Sequence, residues 1–194
     1  MHCWKHINVK KQYGHHRLFL FSAIFMLLAF SFFYITMTAY RDSPVTDRLF
    51  PLFLAGFLMV YPAHKLLHFL PLARCHNRLR FKLEKQFGVI PLLSIRITEP
   101  IIKLRYMIAL TIPFVVLNSI LIMGGLIYST YRHYFAILLA YHCGLCVIDL
   151  LYVKHLIHSP KKAFIEETDK GFEILISYDN ESETVLSRNF THLP

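Results

Sequence analysis

The chain has 194 residues, 55% of them hydrophobic, and a formal net charge of +9. A mean hydropathy of +0.44 is too high for a soluble domain of this size and points to a polytopic membrane protein, in which burial occurs in lipid and between helices. The basic excess does not mark a nucleic-acid binder, because it is concentrated in the segments between apolar stretches.

Four apolar segments, at 18–39, 50–72, 101–128 and 133–157, are each long enough to cross a hydrocarbon core of about 30 Å. The expected fold class is an all-α membrane protein of four transmembrane helices with short β-hairpins after the second and fourth. The basic segment 1–17 precedes the first helix, which is aromatic-rich and reads as an anchor. Its apolar stretch exceeds the 7–15 residues of a signal-peptide core, and no small-residue cleavage motif follows. It is expected to be retained.

The second segment contains His64-Lys65-Leu66-Leu67-His68, with Pro62 just before it as a candidate kink. A helix places positions i and i+4 on one face, so the two histidines have the spacing of zinc ligands in H-E-x-x-H proteins. The residue after the first histidine is Lys65, where those proteins carry Glu.

Residues 78–98 alternate charged and apolar side chains on either side of Phe87-Gly88, the period of a half-buried hairpin at the membrane surface. Glu99-Pro100 ends it. The third segment contains Pro113, a second candidate kink. The fourth carries His142, Cys143, Cys146 and Asp149. Its C-x-x-C spacing fits a redox or metal role, but small polarizable residues packing between helices are the simpler reading. In the tail, 159–194, two strand-like runs flank Asp169-Lys170-Gly171, and the end is polar. Asn180 and Asn189 match the glycosylation pattern, by chance on a cytoplasmic tail.

The segments 1–17, 73–105 and 154–194 carry seventeen Lys/Arg, and the alternate segments 40–49 and 129–132 carry three. The positive-inside rule then puts both termini in the cytoplasm of a multi-pass cell-membrane protein, with anionic head groups as partners of the basic segments. No nucleic acid and no internal repeat is implied.

Depth ties three polar residues together. His64, His68 and Asp149 precede the cytoplasmic ends of their helices by about four to eight residues, hence lie within about 6 Å of one level at 1.5 Å per residue. An ionisable group at such depth is costly and is a functional site by default. His142 lies two turns from Asp149 on the same face, as a supporting group or an alternative ligand.

This order of motifs, H-x-x-x-H helix, basic hairpin, Glu99-Pro100, a helix with internal Pro113 and a helix with late Asp149, resembles a bacterial membrane family of zincin-type peptidases of unknown function. That family is itself similar to site-2 type intramembrane metalloproteases. The resemblance spans most of residues 50–158. It implies His64, His68 and Asp149 as ligands of a zinc ion, and a catalytic base at the position Lys65 occupies.

Three readings stay open. The chain is a zinc-binding, non-proteolytic or regulatory relative, which is the expectation and would not be an enzyme. Alternatively it is a metal-free scaffold or partner of another membrane protein, with Lys65 paired to Asp149. The third is an active metallopeptidase taking its base from Glu84 or Glu99. A single polar layer and no repeat argue against a transporter.

Overall fold

In the computed structural model of the protein, residues 2–41, 43–73, 79–86, 90–97, 100–161, 163–168 and 171–176 are described. A strand β1 (His2–Ile7) and a short helix α1 (Val9–Tyr13) lead into α2 (His15–Tyr40). There follow α3 (Phe50–Ala73), β2 (Leu79–Gln86), β3 (Ile90–Ile97), β4 (Ile101–Ile102), α4 (Lys103–Ile127), a 3-10 turn (Ser129–Tyr131), α5 (Arg132–Ile157), β5 (Phe164–Thr168) and β6 (Gly171–Ile176).

Four helices are long and apolar enough to span a membrane, with spans of 26, 23, 25 and 29 residues. At 1.5 Å per residue each exceeds the roughly 30 Å of hydrocarbon. Large apolar side chains point outward along them, among them Phe19, Leu28, Leu58, Leu104 and Ile120. That is the surface of helices whose outer solvent is lipid. α5 is the central element, packed against α2 and α4, while α3 packs mainly on α4. Gly144 lets α2 approach closely: the Ser22 hydroxyl donates to the Gly144 carbonyl at 2.5 Å.

Within the segment read as a hairpin from its alternation, β2 runs antiparallel to β3 with Leu79 opposite Ile97. The second hairpin, β5–β6, is also present but does not stand alone. It is the centre of a four-stranded antiparallel sheet in the order β1-β6-β5-β4. The basic segment 1–17 thus contains two elements that its sequence did not suggest, β1 and α1. The first helix starts at His15, not 18, and the third at Lys103, because Ile101 and Ile102 pair with Ile165 and Phe164 as β4. Asn180, Asn189 and the rest of the tail beyond residue 176 lie outside the described residues.

The sheet gathers the start of α2, the start of α4 and the end of α5 on one face of the bundle. Its buried residues Ile7, Ile165, Phe172 and Ile174 pack with Leu18, Leu72, Tyr106 and Leu156 from the helix ends. A second apolar cluster, including Ala29, Val60, Leu121, Leu139 and Cys143, fills the bundle further along. At the opposite end the buried Arg132 donates to the Ser43 carbonyl at 2.6 Å and to the Thr38 hydroxyl at 3.1 Å, clasping the α2–α3 loop to the α4–α5 turn.

Candidate metal centre

Between the two apolar clusters, three helices converge on a polar group. α3 contributes His64 and His68, one helical turn apart, so both rings leave the same face. α5 contributes His142, Cys146 and Asp149, which share a face by the same spacing. α4 contributes Asn118 and the carbonyl of Ala109.

The structure brings the three residues singled out by depth into contact. His64 Nε2 lies 3.2 Å and His68 Nε2 lies 3.4 Å from Asp149 Oδ2. The two Nε2 atoms are 3.0 Å apart. The rings stand edge to face, at 89°. A tetrahedral zinc with bonds of about 2.0–2.2 Å holds its ligand atoms about 3.3–3.5 Å apart, and the triangle formed by these atoms is close to that. The donor set fits zinc in chemistry and in spacing.

His64 is buried and uses its other nitrogen as well. Its Nδ1 is 3.1 Å from His142 Nε2, and His142 Nδ1 is 2.7 Å from Asn118 Oδ1. His142 is completely buried. Cys146 Sγ lies 3.4 Å from His142 Nε2 and 3.9 Å from His64 Nδ1, so a second set of metal-type atoms stands behind the first. Cys143 and Cys146 are free thiols.

Lys65 is elsewhere. It is exposed, with its ammonium 6.0 Å from the centre of the Tyr61 ring. Among the described residues the close contacts of the Asp149 carboxylate are with His64 and His68, and no ion pair joins Lys65 to Asp149. Glu84 stands on β2, and Glu99 lies outside the described residues.

Two contributors escaped the sequence reading. Asn118 is a lone amide in an apolar helix, and that was a usable signal, since buried polar groups need partners. The Ala109 carbonyl carries no side-chain signal at all, although Pro113 four residues later does.

A family model described as "putative zincin peptidase" matches residues 57–164, from the middle of α3 to the first residue of β5. That is more than half of the chain and contains every residue of the polar group. No curated protein and no solved structure shows a significant match. The resemblance carried by the H-x-x-x-H pair and the late aspartate is thus one of descent, and the chain belongs to the family described as putative zincin peptidase.

Proposed function

We propose that this membrane zincin-like protein binds a divalent metal, zinc by its donor set, and does not hydrolyse peptides. The observation that carries the reading is the convergence of His64 Nε2, His68 Nε2 and Asp149 Oδ2 at 3.0–3.4 Å. Two imidazoles and one carboxylate suit zinc and leave one coordination position open. Bound there, zinc would supply Lewis acidity and lower the pKa of a water molecule.

Peptide hydrolysis also needs a group that takes a proton from the attacking water and returns it to the leaving amine. In H-E-x-x-H proteins the Glu after the first histidine does this. Lys65 offers an ammonium in its place and projects out of the bundle beside Tyr61. The chain's residues therefore hold a metal without moving the proton, which suits a regulatory partner of another membrane protein better than an enzyme. On the same reading the sheet face is cytoplasmic, because the segments that build it carry most of the basic residues.

Metal analysis of the full chain purified in detergent tests the binding. Wild type is expected to carry near-stoichiometric zinc, and His64→Ala and Asp149→Ala to lose it. A zinc-free wild type after purification with added zinc would overturn the reading. Cleavage of a model transmembrane substrate by wild type, abolished in His68→Ala, would overturn its non-proteolytic half.

A further inference from the structure

Each histidine of the candidate site has a second ring nitrogen, and the partner of that nitrogen decides which one is left bare. His68 Nδ1 lies 2.8 Å from the Ala109 carbonyl oxygen. A carbonyl only accepts, so His68 donates its Nδ1–H there, and in the neutral ring its Nε2 then holds a lone pair.

The sequence explains why that carbonyl is free. In an α-helix the carbonyl of residue i takes the N–H of residue i+4. Four residues after Ala109 stands Pro113, buried inside α4, which has no N–H. The proline thus creates the acceptor that orients a histidine of α3. Such freed carbonyls inside a membrane helix require a partner from elsewhere, and His68 is that partner.

On His64 the chain of protons is longer but runs the same way. The Asn118 amide points its NH2 at the Cys143 sulfur, 3.6 Å away, and its oxygen at His142 Nδ1. That oxygen accepts, so His142 donates from Nδ1 and its Nε2 is bare. His142 Nε2 then accepts the Nδ1–H of His64 at 3.1 Å. With its proton committed there, His64 also presents a bare Nε2. With both imidazoles neutral in these tautomers, three acceptors, His64 Nε2, His68 Nε2 and Asp149 Oδ2, end 3.0–3.4 Å apart and no ring N–H is directed between them. Facing lone pairs at that spacing repel one another unless a cation lies among them.

We propose that α4, which supplies no ligand, fixes the tautomers of both histidines, through the carbonyl freed by Pro113 and through Asn118 acting by way of His142, so that the cluster offers two neutral Nε2 atoms and one carboxylate to a single divalent metal. This rests on the metal-binding reading above. Pro113, Asn118 and His142 are positioning residues: each acts on the metal through a histidine. Partners of this kind change metal affinity by about 10–100-fold. The competing arrangement seats the metal on the far side of His64, between its Nδ1, His142 Nε2 and Cys146 Sγ, and needs that Nδ1 without its proton.

The test measures zinc affinity of the full chain in lipid nanodiscs by competition with a chromophoric chelator, and records the visible spectrum after cobalt substitution. Asn118→Leu and His142→Leu are expected to weaken binding about 10–100-fold. His142→Gln, whose amide oxygen also accepts from His64, is expected to restore most of the loss. Pro113→Ala returns an N–H to compete for the Ala109 carbonyl and is expected to weaken binding too. Cys146→Ser is expected to leave affinity and spectrum unchanged.

Wild-type affinity in both leucine variants would overturn the proposal while leaving the metal reading intact. So would an equal loss in His142→Gln and His142→Leu, since shape alone would then explain it. A thiolate charge-transfer band in wild type that disappears in Cys146→Ser would move the metal to the far side of His64. If the leucine variants do not fold, Pro113→Ala and Cys146→Ser decide the matter. A wild type that binds neither zinc nor cobalt overturns the metal reading itself, and this inference with it.

Discussion

Lys65 stands where H-E-x-x-H proteins carry their catalytic glutamate. It follows His64 directly, about 100° around the helix, and its ammonium rests near Tyr61. Lys65→Glu restores the carboxylate that H-E-x-x-H chemistry uses. A positioned acid–base group contributes about 10²–10⁴-fold. The expected outcome is cleavage of a model transmembrane substrate by Lys65→Glu over a wild-type background, abolished when His68→Ala is added. No gain would mean that further parts of the peptidase machinery are missing. Asp149 makes a second prediction at this scale. A ligand bound only by the folded state stabilises it by about 2.7 kcal/mol at a hundredfold excess over its Kd. A chelator should therefore lower the melting temperature of wild type, and zinc should raise it. Asp149→Asn, with one anionic ligand removed, should respond to neither. His64, His68, Lys65 and Asp149 were all legible in the sequence, because spacing and depth are one-dimensional facts. Asn118 was not, because its meaning depends on His142 lying opposite.

Among the elements, the helices follow from apolar length, the first hairpin from alternation and the second from two strand-like runs about a turn signal. β1 and β4 do not. His2–Ile7 places Cys3 and Trp4 side by side and so does not alternate, and Ile101–Ile102 is two residues long, so neither has a period to read. Both become strands only because β6 and β5 offer them edges. Gly171 is where that assembly is most sensitive: a Cβ there would collide with the Ile7 carbonyl oxygen of β1. Gly171→Ala should destabilise the protein by about 1–3 kcal/mol, the range for overpacking, visible as a lower melting temperature with zinc stoichiometry retained. Lys103 ties the helices to the sheet. Its buried ammonium donates to the Ser159 carbonyl at 2.6 Å, just beyond the end of α5. Lys103→Met should leave that carbonyl unpaired and cost about 1–3 kcal/mol in the same assay.

For the whole molecule, the sheet holds the start of α2, the start of α4 and the end of α5 together, and the sequence segments on either side of those helix ends carry most of the basic residues. Reporter fusions at both termini should therefore report from the cytoplasm; a terminus found outside would sink the positive-inside assignment. The centre lies between the sheet-side core and the second apolar cluster.

Composition and apolar length alone determined a four-helix membrane protein, since a bilayer imposes a minimum span that sequence displays directly. The i, i+4 histidines and the late aspartate determined the candidate ligands for the same reason. Only the tertiary structure decided that Asp149 faces the histidines and not Lys65, and that a proline in α4 frees the carbonyl His68 uses. It alone brought Asn118 to His142. These outcomes depend on which helix faces meet, and that is set by packing around α5 across long sequence separations, where no local pattern records it.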